Sequence, residues 1–79
     1  MDDSEIIELF FARSEKAIKE LVVKYGKICH VISYNLLHSS QDSEECANDA
    51  YLGVWNAIPP LRPVSLLSYV CRIQEGVLL

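Results

Sequence analysis

Acidic and amide side chains gather on one face of a helix that the sequence predicts between Asp42 and Ile58. At about 100° per residue, the apolar residues of this stretch fall on the side that must face a core. The opposite side carries Glu45, Asn48, Asp49, Leu52 and Asn56. An apolar residue ringed by polar groups is a common design of small protein interfaces, so the pattern predicts a protein-binding surface. A single exposed leucine, which is ordinary on any surface, is the alternative interpretation.

Trp55 falls at the edge between the two faces of this helix. We expect its ring to cover the core, with the indole N–H kept near water or a carbonyl group. Stacking on a nucleic-acid base is the alternative. The acidic face beside Trp55 argues against that alternative, because it repels phosphates.

The other titratable residues do not form a catalytic constellation. Neither His30 nor His38 has a carboxylate at a spacing that would place both groups on one helical face. A lone histidine needs a convergent partner to act as an acid, a base or a ligand. Glu44 and Glu45 are adjacent and point in different directions on a helix, so they are not a carboxylate pair. With no glycine-rich phosphate loop either, the sequence predicts no enzyme and no cofactor site.

The three cysteines, Cys29, Cys46 and Cys71, are widely spaced and form no CxxC pair. This spacing excludes a zinc ribbon and a thioredoxin-type redox site, and it predicts no metal site. Free cysteine is among the most buried residue types. We therefore expect reduced thiols that pack as small apolar residues in a cytoplasmic protein.

The chain has 79 residues and a mass of 8.9 kDa, which is enough for one domain, residues 1–79. Eleven acids against seven bases leave a net charge of −4. General binding to a phosphate backbone needs an excess of Lys and Arg and is excluded by this balance. The acidic amino end does not resemble a signal peptide. The longest uncharged run, Ile28–Gln41, is too short and too polar to span a membrane.

Four helices with short connections account for the hydrophobic pattern, which predicts an all-α bundle. The first helix carries apolar residues up to Phe11, behind an acidic N-cap. The second, Glu15–Leu37, has a wide apolar stripe on which we place Val22, Ile28 and Leu36.

Caps and breakers mark the remaining helix ends. Gly26, inside the second helix, is expected to let another element approach closely, with a kink as the alternative. The third helix, Asp42–Ile58, starts with a capping-box-like pattern and ends before a proline pair. The fourth helix begins behind Ser65 and is expected to stop at Gly76, before an apolar tail, Val77–Leu79.

The stretch Asp42–Ile58, with the letters DSEECANDAYLGVWNAI, resembles region two of bacterial sigma factors, most closely the small extracytoplasmic-function group. The shared order is an acidic helix start, an amide–acid pair, an aromatic residue, Leu, and a Trp shortly before Ala-Ile. Asn48 stands where the family commonly has Gln. Residues 6–25 are similar to the family's opening helices, and Ser65–Ile73 is similar to the start of its promoter-reading helix.

This resemblance implies a region-two-like fold and a role in transcription initiation. In the family, the acidic helix docks on the clamp helices of the largest subunit of core RNA polymerase. Carried over by position, the docking residues are Glu45, Asn48, Asp49 and Leu52, with Asn56 at the edge. The resemblance also implies promoter DNA as a ligand reached through the polymerase, and an anti-sigma factor as a further partner.

The resemblance fails after Ile73. The family continues there with a basic segment and a long helix that captures the melted promoter strand, whereas this chain reads Gln74–Leu79. We therefore expect a truncated domain that has lost most of its promoter-reading part. Arg62 and Arg72 are the bases left near that end, and two arginines predict only weak nucleic-acid binding. A helical interaction or regulatory module, and an inactive sigma-factor fragment, are the alternatives.

Self-association is a further expectation. A fourth helix of about ten residues spans only about 15 Å, so it leaves part of the predicted apolar surface uncovered. Small chains without disulfides or metals often complete their core through a partner, and a two-fold dimer is the commonest solution. We expect a homodimer or a higher assembly built around the second and fourth helices.

Overall fold

Four α-helices make up the protein in a computed structural model that describes residues 1–78. They are α1 (Asp3–Phe11), α2 (Lys16–Leu37), α3 (Ser40–Ala57) and α4 (Leu66–Leu78). No strand occurs among the described residues, and the all-α bundle expected from the sequence is confirmed. Leu79, the last residue of the expected apolar tail, lies outside the described residues. Within residues 1–78, no helix has both the length and the apolar character needed to cross a bilayer.

Side-chain oxygens cap the amino ends of α1 and α3. Asp2 accepts a hydrogen bond from the backbone N–H of Glu5 at 2.8 Å, as expected for an acidic cap of α1. The hydroxyl of Ser39 accepts one from the N–H of Asp42 at 3.3 Å, so α3 begins at Ser40. The expectation that α3 starts at Asp42 is therefore wrong, because Ser39 already supplies the acceptor that a helix start needs.

Ser65 and Pro59 mark two further helix boundaries, whereas Gly76 marks none. The hydroxyl of Ser65 accepts from the N–H of Ser68 at 3.3 Å and caps α4, as expected. The third helix ends at Ala57, before Pro59, also as expected. Gly76 does not stop α4, which continues through it. A glycine inside a helix costs only about 1 kcal/mol relative to alanine. The backbone hydrogen bonds gained by continuing the helix outweigh this cost.

The core lies where α3 packs between α2 and α4. Its largest fully buried apolar side chains are Ile6, Phe10, Leu21, Val54, Ile58, Leu66 and Val70. A Cβ atom on Gly53 would stand 2.9 Å from Cγ2 of Ile73, so α4 approaches α3 over a residue without a side chain. At Gly26 the fit is looser, because a Cβ there would lie 3.7 Å from the hydroxyl of Tyr51, which is an ordinary van der Waals contact.

Part of the predicted apolar stripe of α2 is not buried. Val22, Ile28 and Leu36 are 41%, 43% and 63% exposed, so these members of the stripe stay uncovered. Val22 borders an open cavity between α2 and α3, whereas Ile28 and Leu36 lie beyond Lys24 and Tyr25, where the start of α1 contacts α2. The nine residues of α1 span about 14 Å, whereas the 22 residues of α2 span about 33 Å.

Gln74 fixes the end of α4 against the second half of α2. Its side chain is fully buried, and its Nε2 donates to the carbonyl oxygen of Cys29 and to Oγ of Ser33. Buried polar groups are costly unless they are hydrogen-bonded. The contacts of Nε2 favour this position of α4 on α2, although Oε1 of the same amide is buried without a hydrogen-bond partner among the described residues. No sequence pattern predicted these contacts.

Arg13 joins the turn between α1 and α2 to the end of α3. Its Nη1 donates to the carbonyl oxygens of Trp55 at 2.7 Å and Ile58 at 2.9 Å. The guanidinium carbon lies 3.8 Å from the centre of the Trp55 ring. Carbonyls in the last turn of a helix lack intrahelical donors and favour positive charge. Arg13 satisfies them from a backbone in the left-handed region, with φ of 55°.

We expect Arg13→Ala to lower the free energy of unfolding by about 1–3 kcal/mol, because it removes two charged hydrogen bonds and a cation–π contact. Arg13→Gly removes the same contacts but adopts a positive φ without a Cβ clash, so it should be less destabilised than Arg13→Ala by about 1 kcal/mol. Urea unfolding followed by circular dichroism measures both. Wild-type stability in both variants would show that the contact contributes nothing.

Asp3 ties the start of α1 to α2. Its Oδ1 accepts hydrogen bonds from Nζ of Lys24 and from the hydroxyl of Tyr25, both at 2.7 Å. Burial opposes ionisation of this carboxyl group, but the two hydrogen bonds and the charge of Lys24 outweigh it and lower the pKa of Asp3.

The stability that Asp3 contributes should depend on pH. Because its pKa is lower in the folded state, the contribution is complete above the ordinary Asp pKa of about 3.9 and is lost as the pH falls through the folded-state value. Asp3→Asn should therefore melt below the wild type at neutral pH, and the difference should vanish in strong acid. Asp49→Asn, at an exposed position, is the control. A deficit in Asp3→Asn that is the same at every pH would contradict this account.

Candidate protein-docking face

The third helix buries one side and exposes the other. The buried side consists of Ser43, Cys46, Ala47, Ala50, Tyr51 and Val54. These positions recur every three or four residues, so the remaining side of α3 faces solvent. The residues predicted to dock a partner, Glu45, Asn48, Asp49, Leu52 and Asn56, are all exposed there. The structure thus brings the five residues onto one face, which we term the docking face.

Leu52 is the apolar centre of the docking face. Its side chain is 52% exposed. Asn48 lies one turn before it and Asn56 one turn after it, so polar groups flank it along the helix axis. A partner that covers Leu52 removes apolar surface from water, which is favourable in proportion to the area covered.

Negative charge on α3 is not neutralised within the described residues. The helix contains Asp42, Glu44, Glu45 and Asp49 and no Lys or Arg. The ion pairs found in residues 1–78 are Lys24–Asp3 and Arg62–Glu8, both at 2.7 Å, and neither involves α3. The docking face therefore favours a partner with basic side chains. Opposite charges raise the rate of association and disfavour partners that carry negative charge.

The second helix contributes a groove beside the docking face. A cavity of about 560 Å³ lies between the start of α2 and the end of α3, next to Leu52 and Trp55. Glu15, Ile18 and Lys19 form its α2 side. No sequence pattern assigned these three residues to the site. Only the antiparallel packing of α2 on α3 brings them to Leu52, and no local pattern reveals that packing.

Trp55 has the half-buried position at the edge of α3 that the sequence indicated. Its ring centre is 6.1 Å from that of Phe10 in the core, and the guanidinium of Arg13 lies over its ring. One ring face is thus occupied from within the chain. The geometry therefore gives no support to stacking on a nucleic-acid base.

Arg62 and Arg72, the predicted nucleic-acid contacts, line one cavity of about 470 Å³ at the start of α4, together with Tyr69. Arg62 is already engaged, because it forms an ion pair with Glu8 at 2.7 Å and lies 4.3 Å from the ring centre of Phe11. Its charge is therefore partly neutralised. The structure brings the two arginines together but leaves Arg72 as the stronger candidate for a phosphate.

The cysteines are free, with Cys29 and Cys46 buried and Cys71 half-buried. Burial raises the pKa of the Cys29 thiol, against the opposing effect of a hydrogen bond with Tyr51. Burial also raises the pKa of Cys71. Protonated thiols are poor nucleophiles and poor metal ligands. Among residues 1–78, no group of three His, Cys, Asp or Glu side chains is arranged to hold a metal ion.

Comparisons with known proteins provide no relative from which a function could be transferred. The chain matches no protein-family model, no curated protein and no solved structure. The function is therefore argued from the docking face and the groove beside it.

Proposed function

We propose that this protein is a sigma-factor-like domain that docks on the clamp helices of the largest subunit of core RNA polymerase. The observation that carries the proposal is Leu52, which is half exposed at the centre of an acidic, amide-rich face. These are the positions at which the chain resembles the docking helix of sigma factors. The arrangement of four helices is compatible with a region-two-like domain.

Two physical features of the docking face support binding of a helical partner. Leu52 offers an apolar anchor, and the adjacent groove, with Ile18 and Trp55 in its walls, has room for a side chain of the partner. The acids of α3, which have no ion pair among the described residues, attract bases that flank such a side chain.

In this role the protein acts in the cytoplasm, in transcription initiation, and promoter DNA is met mainly through the polymerase. An anti-sigma factor that covered Leu52 would prevent docking. Direct DNA contact is confined to the cavity with Arg62 and Arg72, where one of the two charges is already paired. A helical interaction module for another partner is the competing function, and it would use the same face.

Leu52→Ala tests the anchor. We expect it to weaken binding to an isolated clamp-helix fragment by about 1–3 kcal/mol, as central apolar anchors do. The free energy of unfolding should change by no more than about 0.5 kcal/mol, because the side chain is half exposed. Titration calorimetry and urea unfolding measure the two quantities. Leu61→Ala, at a leucine that is 44% exposed outside α3, is the matched control and should bind as the wild type does.

The outcomes of this experiment separate the possibilities. If the wild-type chain does not bind the clamp helices, the proposal is wrong. If Leu52→Ala unfolds at much lower urea concentration, Leu52 belongs to the core and the docking face is misassigned. Retention of a different protein by the wild type, lost in Leu52→Ala, would support the competing function instead.

For DNA, we expect the isolated chain to bind a promoter strand and a scrambled strand equally, with an affinity that falls steeply with salt. Arg72→Ala should weaken this binding more than Arg62→Ala, since Arg62 is already paired with Glu8. Fluorescence anisotropy over a range of salt concentrations provides the comparison. A salt-resistant preference for the promoter strand would contradict the assignment of a weak, unspecific contact.

A further inference from the structure

The second helix has an apolar face that points away from the core. Val23, Val31 and Tyr34 are 74%, 55% and 44% exposed. With Lys27 and His38 they recur every three or four residues, the spacing of a stripe along a helix. We term these five residues the outer stripe. It does not include Leu52, although Lys27 and Val31 border the same cavity as Asn48 of the docking face.

Almost no charge lies along this face. Between Val23 and His38, Lys24 and Lys27 are the only fully charged residues in the sequence. Lys24 is neutralised by Asp3 at 2.7 Å. Lys27 forms no ion pair among the described residues and is the one unpaired full charge that α2 itself supplies to the stripe, while Glu44 of α3 borders the same cavity as Lys27. An exposed apolar face with so little charge is typical of an interaction surface.

We propose that the outer stripe is the interface of a homodimer in which two α2 helices pack antiparallel. The midpoint of the stripe lies at His30 and Val31, and the two-fold axis passes there. Antiparallel pairing about this point places Lys27 of each copy opposite Tyr34 of the other, which allows two cation–π contacts. Parallel pairing would instead set Lys27 against Lys27, and like charges repel. The spacing of Lys27 and Tyr34 about the midpoint is self-complementary and favours a second copy as the partner, and the charge of Lys27 favours the antiparallel orientation.

Two features of the surface near the proposed two-fold axis favour contacts between the two copies. The ring of His30 stacks on that of Tyr34, with 6.1 Å between centres, and His38 meets Tyr34 edge-on at 6.4 Å. The rings thus form a continuous aromatic row on the stripe. A cavity of about 550 Å³, bordered by Val22, Lys27 and Val31, opens beside this row and has room for a side chain of the second copy.

The size of the stripe predicts a weak dimer. It covers 16 residues, from Val23 to His38, and is therefore about 24 Å long and one helix wide. Stable interfaces bury about 800 Å² on each partner, and a single helical face lies at or below that value. We therefore expect association at micromolar concentration that is reversed by dilution.

Sedimentation equilibrium of the full chain tests the dimer. We expect the mass to rise with concentration from 8.9 kDa to twice that value. Val31→Asp places a charge on each side of the axis and should remain a monomer. Val64→Asp, in the exposed loop before α4, and Leu52→Ala, on the docking face, should still dimerise. If Val31→Asp fails to fold by circular dichroism, Val23→Asp, at the more exposed end of the stripe, replaces it.

A wild-type chain that stays monomeric over the whole concentration range overturns the proposal. So does a dimer that persists in Val31→Asp or that is lost equally in Val64→Asp. Because Leu52→Ala should leave the dimer intact, failure of the docking proposal and failure of this one are distinguishable.

Cross-linking with a short thiol-reactive linker tests the orientation. In an antiparallel pair, only positions near the axis face their own copies. Val31→Cys should therefore cross-link to itself, whereas Val23→Cys should not. Mass spectrometry of the digested product separates these links from links through the half-buried Cys71. Efficient self-linking of Val23→Cys would indicate a parallel pair and overturn the proposed arrangement.

Discussion

The guanidinium of Arg13 binds the carbonyl oxygens of Trp55 and Ile58, more than forty residues away, and the arrangement of the helices depends on this contact. The last turn of a helix needs donors from outside the helix, and a cation is the most favourable one. Because Arg13 lies in the turn between α1 and α2, it fixes the end of α3 beside the first half of α2. The docking face around Leu52 is thereby held in one orientation, as a binding surface requires.

At the other end of α2, the buried carboxamide of Gln74 holds α4 through Cys29 and Ser33. The third helix lies between these two polar contacts and packs closely on α4 at Gly53. Hydrophobic burial would tolerate several rotations of α4, whereas few of them let the buried Nε2 of Gln74 reach two acceptors, and even here its Oε1 has no partner among the described residues. The apolar core therefore supplies most of the driving force, and two polar side chains select the geometry.

The residues show why the sequence predicted some features and not others. Periodicity and capping are local, so the exposure of Leu52, the cap at Ser65 and the end of α3 could be predicted before the structure was known. The contacts of Arg13 and Gln74 join residues that are distant in sequence, and neither side chain reveals its partner. Which residues of the α2 stripe stay exposed, Ile28 and Leu36 among them, could not be predicted for a related reason: an apolar residue does not indicate how long the helix that covers it will be. The α2 side of the groove could not be predicted because it depends on how α2 packs on α3.

The second helix contributes residues to the core, to the groove beside the docking face and to the outer stripe. The outer stripe and the docking face meet at one cavity. Lys27 and Val31 of the outer stripe and Asn48 of the docking face border the same cavity. A second copy seated on the stripe would therefore approach one edge of the docking face while leaving Leu52 uncovered. If both proposals hold, dimerisation and docking compete for the space at Asn48. A weak dimer fits this geometry, because a partner that binds more tightly displaces the second copy by mass action. In the absence of such a partner, dimerisation keeps part of the apolar surface of the outer stripe out of water.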